Sequence, residues 1–380
     1  MKVMKMELTV TAKLKILPTI EQQELLRQAL NVYRDGCNFV SALIFDTKNL
    51  VQAALHGQTY QPLRTEYGLR SQMAESVLKT VIARYKSLKG TDHEWTQVQF
   101  KKPELDLVWN RDYSLVQGVF SVNTLQGRIK VPFENKGMER YFDHTWSFGT
   151  AKLIYKHSKF FLHIPMTKEI DETSLSDLAQ VVGVDLGMNF LATAYDSLGN
   201  TYFFNGRSSK DRRSHYKQLR RELQQRQTPS ARRRLKKIGQ RETRWMTDVN
   251  HRVSKALVDR YDKNTLFVLE DLTGIRTATE KVRKRDRYEI VSWAFYQLRH
   301  MIEYKAAMNQ ARVVAMDPRY TSQTCPKCGH VDKSNREKKR HHFVCKNCQY
   351  QSNDDRIGAM NLHRKGIEYL VAVTTQANPV

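Results

Sequence analysis

Residues 321–361 read TSQTCPKCGHVDKSNREKKRHHFVCKNCQYQSNDDRIGAMN, placing a metal-ligand pattern directly before two carboxylates that open a short helix. Cys325 and Cys328 form one C-x2-C knuckle and Cys345 and Cys348 a second. Residues 329–344 separate them, a spacing inside the zinc-ribbon range. Four thiolates close a tetrahedral shell around Zn2+ and leave no open position, so the site is expected to be structural rather than catalytic. Ser352 or Asn353 is suited to cap a helix that starts at Asp354 and Asp355. Acidic first turns often do no more than complement the helix dipole. These two acids therefore need support from elsewhere in the chain.

The chain of 380 residues carries 63 Lys plus Arg against 39 Asp plus Glu, a formal charge of +24. Such an excess repels itself in a compact fold unless polyanions share its field, which points to nucleic acid ahead of an anionic membrane. No run of about 18 apolar residues offers a spanning helix, and MKVMKMELTV has neither the apolar core nor the cleavage site of a signal peptide. Of the five cysteines, only Cys37 lies outside the knuckles. Set in a helical pattern, it is expected to be a small buried hydrophobe. Zinc in place of disulfides implies a reducing compartment.

Upstream, residues 6–18 (MELTVTAKLKILP) alternate like a strand with one wet face, and Thr19 is placed to cap a helix. Helical spacing continues from Ile20 to about Lys89, with a looser break expected around His56 to Pro62. From Trp95 to about Met166 the pattern turns to short β-like runs (VQF, SLVQGVFSV, GRIKVPF, AKLIYKHSKFFLHIPM) between turn residues. One barrel, with the helices inserted after its first strand, would account for this order. A linker from Lys168 to Asp177, rich in Glu, Asp and Ser, precedes VVGVDLGMNF.

Val181, Val182 and Val184 read as a strand covered on both faces, and Asp185 interrupts it. A charge there is costly unless paired or bound to metal. Phe190 to Tyr195 and a turn at Leu198 to Asn200 suggest a hairpin. Thr228 and Pro229 look like an N-cap and first-turn proline dividing a basic helical region. In it Arg232, Arg233, Arg234, Lys236 and Lys237 are nearly contiguous, which favours phosphate contact over a merely solvated face. NTLFVLED is a second buried strand ending in Glu270 and Asp271. Then come a basic segment (KVRKRDR), an aromatic helix beginning near Trp293 whose stripe reads as core, and the strand ARVVAMDP.

If these strands share a sheet, Asp185, Glu270 and Asp355 can converge at its edge. Clustered carboxylates repel unless cations sit between them, and hard oxygen donors favour Mg2+. Two such ions about 3.5–4 Å apart serve an in-line displacement at a phosphodiester. Asp355 is preferred to Asp354 because Gly358, Ala359 and Leu362 follow it at i+3, i+4 and i+7, a small apolar face suited to a sheet.

GVDLGMN, LFVLEDL, SWAFYQLRHMIEYKA, YTSQTCPKCGH, the second knuckle and DDRIGAMNL together resemble the TnpB family of transposon-encoded RNA-guided nucleases, relatives of type V CRISPR effectors. The similarity covers Val181 to Leu362 and, more loosely, the N-terminal strand and helix. Where the family commonly shows Asp-x-Asn-Ala-Ala before a final Asn, this chain has Asp355, Ile357, Gly358, Ala359 and Asn361.

The resemblance implies a fold of α/β plus β-barrel type. Its parts would be a wedge barrel (residues 1–18 and 95–170), a helical recognition insert (19–94), a RuvC-like RNase H nuclease (171–318 and 351–370), a zinc-ribbon target-nucleic-acid module (319–350) and a tail (371–380). It also implies a guide RNA from the transposon end, a double-stranded DNA target next to a short motif, and a cytoplasmic, nucleoid-associated prokaryotic protein. Cutting would be Mg2+-dependent at Asp185, Glu270 and Asp355, with Zn2+ structural at the four cysteines. In such systems base pairing reads the sequence while protein cations hold the hybrid's backbone. Three other readings stay open: a nuclease-inactive guided repressor, a DNA-joining transposase, and a zinc-ribbon factor without catalysis. The last leaves Asp185 and Glu270 without a purpose inside apolar strands.

Overall fold

The computed structural model describes residues 5–91, 93–116, 118–271, 294–337 and 340–377. The basic segment 281–287, Trp293 and the last three residues of the expected tail lie outside them. The chain divides into two compact units, Thr9–Lys168 and Met1–Leu8 with Glu169–Val380.

The first unit is built on strands β1 (Lys5–Ile16), β2 (Glu104–Leu107), β3 (Tyr113–Val116), β4 (Val119–Asn123), β5 (Arg128–Glu134), β6 (Ser147–Phe148), β7 (Ala151–Lys156) and β8 (Lys159–Asp171). The N-terminal strand joins the later ones in a single sheet of order β2-β7-β8-β1-β5-β4-β3, with β6 on β8. No closed barrel forms among the described residues: the end strands β2 and β3 share no ladder. Both are short, and the chain between them folds on itself where the Asp112 carboxylate accepts from the Val108 N–H at 2.9 Å.

Helices α1 (Ile20–Thr47), α2 (Gln52–Thr65) and α3 (Ser71–Gly90) follow β1. Thr19 caps α1 in a capping box with Gln22. The break expected around His56 to Pro62 is instead the body of α2, since Pro62 sits near its end. The real breaks fall where Lys48 (φ 52°) and Gly68 (φ 63°) turn left-handed. VQF is no ladder strand either. Its backbone bonds to helix side chains, Val98 N–H donating to the Tyr85 hydroxyl at 3.2 Å and Phe100 N–H to Asn38 Oδ1 at 2.8 Å. The expected linker from Lys168 begins as strand, because β8 runs on to Asp171.

The second unit holds a five-stranded sheet of β9 (Gln180–Asp185), β10 (Phe190–Asp196), β11 (Thr201–Asn205), β12 (Thr265–Glu270) and β13 (Arg312–Met316). Its order is β11-β10-β9-β12-β13. The three N-terminal strands are antiparallel, and β12 and β13 add on in parallel. Side chains alternate as the pleat requires. Val182, Val184, Phe267 and Leu269 pack with Met246, Val249, Leu257, Leu298 and Ile302 of α5 (Pro229–Val258) and α6 (Ala294–Met308). Val181, Leu266 and Val268 pack with Leu362 of α7 (Asp354–Ala377) on the opposite face. Helix α4 (Arg207–Arg226) lies along α5, whose Thr228 cap accepts from the Ala231 N–H at 3.2 Å.

A glycine fixes how closely α7 approaches the sheet. A Cβ on Gly183 in β9 would strike the backbone of Ala359 and His363, which cannot rotate away. Gly183→Ala is expected to cost about 1–3 kcal/mol by overpacking. Gly239→Ala in α5, where nothing lies within 4 Å, should instead stabilise by up to about 1 kcal/mol through helix propensity. Urea midpoints of the two variants, which should move in opposite directions, check this.

Candidate metal centres

Asp185 and Glu270 end neighbouring parallel strands, one position past the paired Val184 and Leu269. Their side chains therefore emerge together at the sheet's C-terminal edge. Helix α7 enters at the same edge, its first turn capped by Asn353, whose Oδ1 accepts from the N–H groups of Asp355 (3.0 Å) and Arg356 (3.2 Å). Gly358 of that helix lets Asp185 lie against it: a Cβ there would stand 3.0 Å from the Asp185 carboxylate. A Cβ at Gly187 would stand 3.8 Å from Asp355 Oδ1. Asp185, Glu270 and Asp355 thus gather at one end of the sheet.

Burial, and then the charges of Glu270 and Asp355, hold the Asp185 carboxyl well above the usual range. Burial also raises Glu270, and it pushes Asp355, with help from Asp354, up to about 6. Asp355 Oδ2 is buried with no hydrogen-bond partner. Oxygen donors, excess negative charge and an orphaned carboxylate oxygen fit a hard divalent cation.

Of the residues around the acids, Asn361 was marked by the family resemblance, while Thr321 and Arg336 carried no signal in the sequence. Thr321 Oγ1 donates to Glu270 Oε1 at 2.8 Å. Asn361 Nδ2 donates to the carbonyls of Thr321 (2.7 Å) and Thr324 (2.8 Å), tying the ribbon's entry turn to α7. Arg336 Nε pairs at 2.7 Å with Asp354, whose side chain is wholly buried. The Arg336 charge also lowers all three gathered acids, so the ribbon supplies a cation to the cluster. Asp354 is no less interior than Asp355. It faces the ribbon, whereas Asp355 faces the sheet.

The ribbon consists of β14 (Arg336–Glu337), β15 (His342–Val344) and β16 (Gln351–Asn353). Each knuckle closes on itself: Gly329 N–H donates to the Cys325 carbonyl at 2.9 Å and Gln349 N–H to that of Cys345 at 3.0 Å. The four sulfurs lie within 4.8 Å of one another, with Cys325 to Cys348 at 3.6 Å and Cys328 to Cys345 at 3.5 Å. A zinc–sulfur bond of 2.3 Å sets the tetrahedron's edge near 3.8 Å, so this cluster fits zinc. Ile357 packs beneath the ribbon with Cys325, Phe343 and Cys345.

The region from 163 to 274 matches the family model described as "Probable transposase", and 295–362 matches that of the "Cas12f1-like, TNB domain". The chain is 28% identical over 251 residues to the CRISPR-associated endodeoxyribonuclease Cas12f1 of Sulfoacidibacillus thermotolerans, covering 62% of this chain and 57% of that one. It is 34% identical over 132 residues to a TnpB-like protein of Methanocaldococcus jannaschii, covering 34% and 46%. This chain is similar to the TnpB-like and Cas12f proteins. The matches span about half the length of those two relatives. The fold agrees with that of Cas12f1 in its complex with sgRNA and target DNA, at TM-score 0.59 and 14% identity over 90% of this chain and 81% of that one.

Relative to the matched regions, Asp185 and Glu270 fall in the first and the four cysteines and Asp355 in the second. Arg232, Arg233, Arg234, Lys236 and Lys237 also fall in the first, all exposed on α5. Arg234 and Lys237 border a cleft between α4 and α5 with Arg212, His215, Tyr216 and Arg241. Among the described residues no helix is long and apolar enough to cross a membrane.

Proposed function

We propose that this chain is an RNA-guided DNA endonuclease whose five-stranded unit is a RuvC-like RNase H fold, with two Mg2+ ions held by Asp185, Glu270 and Asp355. The gathering of three acids, Asp355 buried and Asp185 and Glu270 half-buried, from two strands and a helix at one sheet edge carries this reading. Bound there, the ions would supply Lewis acidity to the attacking and departing oxygens of a phosphodiester.

The protein's own contribution is position. The parallel ladder fixes Asp185 beside Glu270, Thr321 orients Glu270, and Asn361 fixes Thr321. Arg336 places a fixed positive charge near the acids, where a DNA phosphate would gain from it. The partners are a guide RNA from the transposon end and double-stranded DNA. Arg232 to Arg234, Lys236, Lys237 and the adjoining cationic cleft would hold phosphate backbone. Residues 9–168 correspond to a wedge with its helical recognition insert, and 319–350 to the target-nucleic-acid module. The relatives' names support the activity, since one is an endodeoxyribonuclease. The setting would be the prokaryotic cytoplasm.

The test is expression of the full chain together with the DNA flanking its gene. A discrete RNA is expected to copurify, and a plasmid matched to that RNA should be cut with Mg2+ and left intact in EDTA. Guided binding without cutting would favour the repressor reading instead. Absence of any bound RNA would remove guidance altogether.

A further inference from the structure

Overlapping the three gathered acids lies a second donor cluster, of which the proposed nuclease centre uses Asp355 alone. Ligand atoms of His341, Asp354 and Asp355 lie within 4.8 Å of one another. His341 comes from the ribbon turn before β15 and adopts φ 52°, a left-handed conformation that a non-glycine residue rarely takes. The turn is pinned to α7: the His341 carbonyl accepts from Asp354 N–H and Asn353 Nδ2, each at 3.3 Å. Its ring is thereby held against the start of that helix.

The Asp354 side chain is wholly buried and only half satisfied. Arg336 takes Oδ2, while Oδ1 has no hydrogen-bond partner and faces His341 Nδ1 at 3.4 Å. Asp355 Oδ2 is likewise buried and unpartnered. The orphaned Asp354 Oδ1, a carboxylate oxygen of Asp355 and an imidazole nitrogen thus stand together. An uncompensated buried carboxylate oxygen is expensive, and a shared cation would satisfy both at once.

We propose that His341, Asp354 and Asp355 form a site for a divalent first-row transition ion, of which Mn2+ is the probe. Mg2+ keeps to oxygen and holds its waters, whereas imidazole suits the transition metals. Ligation by one ring nitrogen leaves the other as an N–H, and the Asn189 amide already touching the ring would turn its oxygen to accept it. Asp355 is shared with the proposed nuclease centre, so its ionised state rests on that reading. Binding, not cleavage, tests the site.

The experiment uses the zinc-loaded full chain without nucleic acid. Bound Mn2+ should show imidazole nitrogen modulation in pulsed EPR. His341→Ala, a half-exposed position, should abolish the modulation and weaken one Mn2+ by at least the tenfold that loss of an outer hydrogen-bond partner already costs. Mg2+ affinity should stay within about twofold, because the lost donor is nitrogen. His341→Asp should restore an ion but turn preference toward Mg2+, which a merely structural role would not do. Glu270→Gln should lose cutting and keep the nitrogen modulation. Wild-type protein without nitrogen modulation, modulation surviving in His341→Ala, or its loss in Glu270→Gln would overturn the assignment. No cutting by any protein, with modulation intact, would sink the nuclease reading and leave this site standing.

Discussion

Asp185→Asn is expected to lower single-turnover cutting of a matched target about a thousandfold or more while guided binding persists and the metal-free protein becomes harder to melt. The first effect follows from losing one of the three acids that would hold the proposed ions, whose stabilisation of the reacting oxygens would be worth several kcal/mol. The second follows from repulsion. Asp185 is held well above the usual carboxylate range by burial and then by Glu270 and Asp355. A carboxylate raised on folding stabilises the fold below its unfolded pKa, and that contribution is lost as pH rises through the folded value. For Asp355 the window runs from 3.8 to about 6. Metal-free wild type should therefore melt at a lower temperature at pH 7 than this cluster alone would allow at pH 5. Added Mg2+ should recover the difference, and the variant should gain a few degrees at pH 7. Wild-type cutting by the variant would remove Asp185 from the chemistry. Lost cutting with an unmoved melting curve would mean that the acids do not repel, and hence do not need ions between them.

The sequence made legible those features that depend on local pattern. β9 is apolar on both faces because α7 covers one and α5 and α6 the other. Thr19, Thr228 and Asn353 each have a side chain that can satisfy a helix's first N–H groups, and each does so. The small face of Gly358, Ala359 and Leu362 is legible for the same reason: contact at a helix surface repeats with the turn.

What the pattern hid depends on contacts between distant positions. Nothing near Arg336 says that it will pair with Asp354, and nothing near His341 says that its backbone will be tied to α7. Thr321 looks like any loop threonine until Glu270 is beside it. The break misplaced at His56 to Pro62 has a different cause. Pro62 lies inside α2, where its missing N–H removes one helix bond without ending the helix, so a residue that reads as punctuation left α2 whole. Strand runs in order suggest a barrel, but closure needs the end strands to pair, and β2 and β3 do not.

Replacing Cys325 and Cys328 together by serine should release one zinc per chain, open residues 325–350 to protease, and lower cutting at least about a hundredfold with the five-stranded unit still folded. The ribbon has little else to hold it. Its strands are two or three residues long, and its buried cluster is Cys325, Phe343, Cys345 and Ile357, two of them cysteines of the four-sulfur group. So small a core does not sustain a fold alone, whereas a structural zinc contributes about 10–16 kcal/mol of binding free energy that becomes folding free energy. Cutting should suffer because the ribbon is not a separate ornament: Arg336 brings positive charge to the acids, and Thr321, at its entry, orients Glu270. An Arg336→Ala variant isolates the first link. It should retain zinc and protease resistance yet cut more slowly, leaving Asp354 a buried charge without its partner. Less than one zinc in the intact protein, or a ribbon that stays protected after both substitutions, would show that hydrogen bonds and the α7 contact hold it without metal.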